Sequence, residues 1–312
     1  MKTSKAAEGQ PGNDPNNILV SDLEDRAQWI QSLVESEGDF ESPININLST
    51  SIPLELPLLE WHHIDLPCKK MKLTNTGHTL ILSAKWHQER PFLTGGPLLG
   101  NYVFSQLHFH WGCNDMEGSE HTVDGSHLPL EMHVVHFKSC YLTQEAALKE
   151  KDGMVVLAYF FKLQTQPNPA VQVLVDSILF IQKPHCSARL DPLPLWFFVR
   201  EFQDDYFLYW GSVMTTTCVH LILWLICREP IGISTEQLES FRSLLDANEE
   251  PLLRNFRNIQ PLGNRRLFHI NPSGSKYSTL LPISRAQQHF QQSLIAKNAK
   301  PIPSQQATQS VY

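Results

Sequence analysis

Polar and apolar residues alternate along much of the central chain. Residues 103–111 and 130–137 show the period of two that is typical of half-buried strands. Short apolar runs bounded by Pro, Gly, Asn and Asp continue this pattern over roughly residues 40–271. The pattern predicts a mostly β fold of α+β type: a single domain built on a large, twisted, mainly antiparallel sheet with a few short helices. The clearest strands are expected at 80–84, 103–111, 130–137, 155–162 and 219–227.

Helical spacing appears in only a few places. Ser21 and Glu24 form a capping-box pattern ahead of an amphipathic stretch, and further helices are predicted at 170–180, 235–245 and 284–297. The first 17 residues are polar, and the end of the chain is rich in Gln, Ser, Pro and Ala. We therefore expect three parts: a disordered extension over 1–17, a folded domain over 18–271 and a flexible tail over 272–312.

Composition narrows the classes of partner. The net charge of -7 without a basic run argues against nucleic acid as a partner. The most apolar run, residues 218–227, is too short to span a bilayer, and residues 1–17 lack the apolar core of a secretory signal. Six cysteines without C-x-x-C spacing are typical of reduced thiols. These features predict a cytoplasmic protein with no membrane span, which we expect to be a monomer.

Three histidines stand out on the predicted strands. His108 and His110 are two residues apart, so they share a strand face, and His133 lies in a second strand. If the two strands are neighbours, three imidazoles converge on one point and leave the fourth tetrahedral position of a catalytic zinc open. A His-x-His pair on a strand is more often merely hydrogen-bonded or half-exposed, so spacing alone does not establish a metal site.

The neighbours of these histidines favour the metal interpretation. Gln106 precedes His108 by two residues, and Glu131 precedes His133 by two residues, each on the same strand face. An imidazole that binds a metal usually has its second nitrogen held by an amide or carboxylate oxygen. Gln106 and Glu131 are therefore predicted to orient the two ligand histidines.

A set of ordered motifs resembles the alpha-class carbonic anhydrases over about residues 40–270. No single motif is specific, but their order and spacing together are. The matching segments are Ser42-Pro43-Ile44-Asn45-Ile46, Asn75-Thr76-Gly77-His78, Gly95-Gly96-Pro97-Leu98, residues 106–112, Gly118-Ser119-Glu120-His121-Thr122-Val123, residues 131–136, Glu229-Pro230-Ile231 and residues 255–261.

The resemblance implies a function and a role for particular residues. A member of this family would use Zn²⁺ to interconvert carbon dioxide with bicarbonate and a proton, and carbonic anhydrase is itself the standard example of a metal that activates water in this way. By position, His108, His110 and His133 match the zinc ligands, Gln106 and Glu131 their hydrogen-bond partners, His78 the proton shuttle, and Val135, Val156, Val213 and Trp224 the apolar wall of the substrate pocket.

One position departs from the family pattern. Counting back from Trp224 without gaps places Met214 where the family has a threonine that hydrogen-bonds the reacting water and a buried glutamate, matched here by Glu120. A thioether has no donor and is a weak acceptor. The substitution predicts reduced turnover and requires a replacement partner for Glu120, for which a water or Thr215 is available.

Two functions follow from these observations. The first is a zinc-dependent carbonate dehydratase with reduced turnover. The second is a carbonic anhydrase-related protein that keeps the fold, and with it zinc or a binding surface, but has little or no catalysis. All three ligand histidines are present, which favours the enzyme. Met214 favours the second function, as does the absence of the family's aromatic Trp-Gly-Tyr stretch near the start of the domain.

Overall fold

The strand pattern folds as predicted, into one large and mainly antiparallel sheet. The computed structural model describes residues 40–214 and 219–272, without the side chain of Met214, so the predicted extension, the tail and the helices at 21–34 and 284–297 lie outside the described residues. Nine of the eleven pairings in the sheet are antiparallel. The strands in the first half of the chain are β1 (Asn45–Ile46), β2 (Ile52–Leu54), β3 (Leu59–His62), β4 (Lys70–Asn75), β5 (Leu80–Lys85), β6 (Phe92–Gly95), β7 (Tyr102–Trp111), β8 (Thr122–Val123) and β9 (Leu130–Lys138).

The second half of the chain completes the sheet around β10, which lies near its centre. Ten strands follow one another across the sheet in the order β11-β4-β5-β7-β9-β10-β13-β12-β14-β2, while β6 joins β3 to β7, and β1 pairs separately with β8. The remaining strands are β10 (Met154–Leu163), β11 (Ser187–Leu190), β12 (Tyr206–Met214), β13 (Val219–Ile233) and β14 (Phe268–Ile270).

Strand β10 shows why the sheet has a core on both faces. Its first eight residues are all buried, and successive side chains point to opposite faces. Val155 and Leu157 belong to the larger apolar cluster, whereas Val156 and Ala158 belong to a smaller one on the other face. A central strand covered on both sides is expected to be continuously apolar, as this one is. The functional residues described below lie on the face of the smaller cluster.

Strand β13 extends beyond the predicted segment 219–227. The register against β10 jumps from Cys227 to Ile231, so Pro230 lies within an irregularity where no ladder hydrogen bond is required of it. A proline in the sequence favours the end of a strand, but here it lies in a bulge and the strand continues beyond it.

Three short α-helices lie within the described part of the chain. Gln144–Ala147 (α1) was not predicted, whereas Pro169–Ile178 (α2) and Thr235–Arg242 (α3) confirm two expected helices, each shorter than predicted at its C-terminal end. Asn168 caps α2, with a proline in its first turn, and a complete capping box between Ser234 and Gln237 starts α3.

Candidate metal centre

The three histidines of the sequence pattern meet on adjacent strands. In the antiparallel pair β7–β9, His108 lies directly opposite His133, and His110 lies two residues further along β7 on the same face. One ring nitrogen from each imidazole lies within 4.8 Å of the other two. The ring centroids are 4.5–5.2 Å apart. The sheet therefore holds three nitrogen donors around one point, as strand parity predicted.

The second nitrogen of each imidazole has its own acceptor. Gln106 Oε1 lies 3.1 Å from Nδ1 of His108, and Glu131 Oε1 lies 2.7 Å from Nε2 of His133. His110 Nδ1 donates to the backbone carbonyl of Asn255 at 3.0 Å. Each ring is thereby fixed with its other nitrogen facing the shared point, which is the arrangement metal-binding histidines need.

Asn255 is a functional residue that sequence reasoning missed. Its contribution to His110 is a main-chain carbonyl, which any residue type provides, so the motif at residues 255–261 did not reveal this role. Its side chain also donates to Phe109 O at 2.9 Å and to His78 O at 3.1 Å, and accepts from Trp111 N at 2.7 Å. Asn255 thus joins the end of β7 to the turn that carries His78.

One nitrogen atom of the three histidines lacks the hydrogen bond that its burial would require. Nε2 of His110 is buried and has no hydrogen-bond partner among the described residues. A buried polar atom without a partner is costly, and a coordinated cation at the shared point would remove that cost. Three neutral imidazoles that leave a further position open match a catalytic zinc site. The residues present therefore fit the ion that the sequence pattern suggested.

Burial also sets the protonation state that ligation requires. Burial, followed by the neighbouring charges of His110 and His133, holds the pKa of His108 well below its ordinary value. Burial lowers the pKa of His133 too, against the opposing effect of Glu131. Neutral imidazoles at neutral pH are the form that can donate an electron pair to a metal.

Glu131 is a buried carboxylate with several donors around it. Burial raises the pKa of its carboxyl, but the charge and hydrogen bond of His121 and the hydrogen bond from His133 outweigh it, so the pKa lies below its ordinary value. His121 contributes Nδ1 at 2.7 Å and its backbone N–H at 2.9 Å. Glu131 therefore stays ionised and polarises the His133 ring.

The hydrogen bonds continue from His121 to the floor of the site. His121 Nε2 lies 2.7 Å from Tyr209 Oη, which lies 2.9 Å from Ser42 Oγ. Gly211 is required next to this series of hydrogen bonds, because a β-carbon there would lie 2.1 Å from Ser42 Oγ and 2.8 Å from Trp224 Cδ1.

A second group of potential metal ligands consists of His121, Glu131 and His133. Their nitrogen and carboxylate atoms lie close enough together to hold a metal ion, but they are joined by hydrogen bonds to one another instead.

Glu120 has a partner that the sequence did not reveal. Its Oε1 accepts the backbone N–H of Arg257 at 3.0 Å and lies 3.4 Å from His110 Nδ1. The sequence predicted that this carboxylate needs a substitute for the missing threonine. A backbone N–H supplies one hydrogen bond irrespective of the residue at 214. Thr215, the other predicted substitute, lies outside the described residues.

A cavity of about 330 Å³ opens in front of the histidines and has two unlike sides. The Trp224 ring lies 4.8 Å from the His133 ring, and Val156 lies directly opposite Val135 across β10 and β9. Ile222 and Gln144, which no sequence pattern indicated, line the cavity as well. Ile222 lies two residues before Trp224 on the same strand, so the two side chains share a face. The apolar side consists of Val135, Leu148, Met154, Val156, Val213, Ile222 and Trp224, and the polar side includes Gln106, His108, His110, Glu120 and Arg257.

The proton-shuttle candidate lies apart from this cavity. His78 is exposed, follows Gly77 in a turn with φ +80°, and is not one of the cavity-lining residues. Met214 ends β12 opposite Val219, beside the cavity residue Val213. Its backbone thus follows the apolar wall directly, at the position that the sequence singled out.

Three histidines that could hold a metal ion converge in a large mixed sheet, beside the apolar side of the cavity. The family model for eukaryotic-type carbonic anhydrases matches residues 24–271. The chain is 34% identical to carbonic anhydrase 3 of Homo sapiens over 244 residues, covering 76% of this chain and 92% of that protein. It is 34% identical to carbonic anhydrase 7 of Mus musculus over 249 residues, covering 77% and 91%. The chain therefore belongs to the eukaryotic-type carbonic anhydrase family, and the match begins at residue 24, earlier than the motifs indicated.

Among the described residues, no helix is both long and apolar enough to cross a bilayer. The five described cysteines, Cys68, Cys113, Cys140, Cys186 and Cys227, are all free thiols.

Proposed function

We propose that this protein is a zinc-dependent carbonic anhydrase that hydrates carbon dioxide reversibly to bicarbonate and a proton, with reduced turnover. The observation that carries the proposal is the set of three imidazoles around one point, each with its own acceptor, facing an apolar wall. Family membership supports the same reaction.

His108, His110 and His133 would hold the zinc ion. When bound, zinc in a site of this kind makes water a nucleophile near neutral pH by lowering its pKa. Gln106, Glu131 and the Asn255 carbonyl keep the three rings in place. Because these acceptors are fixed before substrate arrives, little reorganisation is needed during the reaction.

The apolar side of the cavity would bind carbon dioxide. The substrate is small, uncharged and without a hydrogen-bond donor, so a wall that excludes water is suited to it. Val135 and Val156 are 6% and 3% exposed, and Trp224 is 4% exposed. The wall therefore positions an apolar substrate against the polar side, where the reacting water would be activated.

Met214 is the basis for the proposed reduction in rate. A threonine in its place would pass a hydrogen bond from the reacting water to Glu120, whereas a thioether donates none. Loss of one preorganised polar contact costs on the order of 10²–10³ in rate in comparable enzyme sites. Glu120 keeps the Arg257 N–H as a partner, so its charge stays partly compensated.

His78 would return the proton to solvent. A histidine side chain can accept and release a proton at neutral pH. The exposure of His78 suits release to bulk water, and the hydrogen bond from Asn255 to its carbonyl ties its turn to the metal-site strand.

A second candidate function is a carbonic anhydrase-related binding protein with little catalysis. The observation in its favour is Met214, which removes the proton-donating group beside the reacting position. The retention of all three histidines argues for the enzyme instead. We further propose a cytoplasmic monomer, for which the free thiols support a reducing compartment.

Stopped-flow measurement of carbon dioxide hydration, with zinc content determined on the same sample, tests the proposal. The proposal is supported if the protein contains one zinc per chain and catalyses hydration, and if the variant His108→Ala loses this catalysis. A control variant, His136→Gln, alters a buried histidine of β9 on the opposite face. One zinc per chain with a rate equal to that of buffer would favour the binding protein.

A further inference from the structure

Four cations share the exposed face of β4, β5 and β11. Lys70 and Lys72 alternate with buried residues along β4, so their side chains point to the same side of the sheet. Lys70 lies directly opposite Lys85 of β5, and Lys72 lies directly opposite Arg189 of β11. None of the four forms an ion pair with any residue that the structure describes.

This arrangement is unfavourable for the sheet itself. Like charges directly opposite each other on neighbouring strands destabilise the pairing. The sequence contains two such pairs close together, and neither pair has a carboxylate partner among the described residues. The whole protein has a net charge of -7, so a concentrated positive face departs from the rest of its charge. Such a face is suited to an anionic ligand.

The strand register leads from these cations to the metal centre. Arg189 pairs with Lys72, Lys72 with Ser83, and Ser83 with Gln106, in one row across four strands. Gln106 lines the cavity and accepts the hydrogen bond of His108. Neighbouring strands are about 4.8 Å apart, so the backbone of Lys72 lies about 10 Å from that of Gln106, on the same face.

We propose that this cationic face (Lys70, Lys72, Lys85 and Arg189) attracts small monovalent anions, bicarbonate among them, and raises their concentration at the mouth of the metal cavity. The inference rests on the proposed function, because it requires a metal ion at the three histidines to which the anion can bind. Fixed charges that focus a field into a cleft increase the local concentration and the association rate of an oppositely charged ligand. Carbon dioxide is neutral, so the face acts on the charged partner of the reaction.

The test is anion binding rather than turnover. Azide is titrated into the cobalt(II)-loaded protein, and its dissociation constant is read from the visible spectrum of the metal. Lys72→Glu reverses one charge, a change of two charge units, about 12 Å from the ligand, so it should weaken azide binding about twofold at 10 mM ionic strength. The double variant Lys72→Glu, Arg189→Glu is expected to weaken it about fourfold. At 0.5 M salt, where the Debye length is about 4 Å, the differences should vanish.

Matched controls separate this effect from a change in fold. Lys162 is a strand lysine six residues beyond Val156 on β10, about 20 Å along the strand, so Lys162→Glu should change azide binding by only about 1.4-fold. Lys72→Arg should bind azide as the parent does, and the neutral ligand 1,2,4-triazole should bind all variants equally.

The outcomes distinguish the two proposals. A cobalt spectrum and azide constants that are the same in parent and double variant at 10 mM ionic strength would overturn the cationic face and leave the proposed function intact. Weaker binding that persists unchanged at 0.5 M salt, or that also affects triazole, would overturn it too. Failure of the parent to take up cobalt would overturn both.

Discussion

Glu131 Oε1 lies 2.7 Å from Nε2 of His133, and both side chains are almost completely buried. The carboxylate stays ionised because His121 and His133 outweigh the effect of burial on its pKa. An anion in this position makes the His133 ring a better electron donor and fixes which of its nitrogens faces the metal centre.

Glu131→Gln should therefore weaken zinc binding. The amide keeps an acceptor but loses the charge, and changes to such partners typically cost about 10- to 100-fold in metal affinity. Competition with a chelator of known affinity measures the effect. Gln106→Leu is the comparison, because His108 loses a neutral acceptor there; equal zinc affinity in Glu131→Gln and the parent would contradict the role assigned to the charge.

Met214→Thr should raise turnover. The new hydroxyl would link Glu120 to the reacting position and restore one preorganised contact, with a gain on the order of 10²-fold in kcat/KM. Stopped-flow hydration assays on zinc-loaded protein measure it. Met214→Val, which adds no donor, is the control, and an equal gain in both variants would show that side-chain size rather than hydrogen bonding limits the rate.

Val156→Phe should block substrate while leaving the metal in place. Val156 faces the cavity, so the larger ring would occupy the space in front of the histidines. We expect kcat/KM to fall by about 10²-fold or more, since displacing a reactant by about 1 Å already has an effect of that size. Zinc content should not change. Val155→Phe, on the opposite face within the larger core, should instead lower the melting temperature.

His78→Ala should lower kcat but not kcat/KM. The variant removes the proposed proton carrier without touching the cavity, and general acid–base groups contribute about 10²-fold or more to rate. Imidazole added to the buffer should restore kcat, because it carries the same proton. His185→Ala, which alters a histidine in a different turn, is the control. A loss of kcat that imidazole leaves unchanged would argue against shuttling.

His136 should make the metal-free protein less stable in acid. Burial lowers its pKa from 6.5 to about 4. Between these values the unfolded chain binds a proton that the folded chain does not, so the contribution is complete above pH 6.5 and is lost as the pH falls toward 4. At 1.36 kcal/mol per unit, the loss reaches about 3 kcal/mol. Denaturant unfolding at several pH values should show a shallower pH dependence in His136→Gln; the same slope would refute the assignment.

The two-residue period of the strands was enough to predict which of several side chains share a strand face. Gln106 and His108 share a face because they are two residues apart, and the same holds for Glu131 and His133; the hydrogen bonds within both pairs are present in the structure. The helix at Thr235–Arg242 was predictable because its cap lies beside it in the chain. Helix α1 escaped prediction because four residues are too short for a helical period to show.

Contacts between distant segments could not be derived in this way. The acceptor for His110 is a backbone carbonyl at Asn255, and the partner of Glu120 is a backbone N–H at Arg257. Backbone groups are chemically the same at every position other than proline, so no residue pattern reveals which one will be used. The register that aligns Arg189 with Gln106 across four strands is likewise invisible before the strands are ordered.

The sequence alone thus determined the strands, the parity of the three histidines and the position of Met214, because these depend on short-range periodicity and on residue identity. The tertiary structure decided that β7 and β9 are neighbours in a register that places His108 opposite His133. It also decided which backbone atoms complete the site and which cations face it. These features depend on pairing between segments far apart in the chain, and such pairing is fixed by packing of the whole sheet rather than by any local pattern.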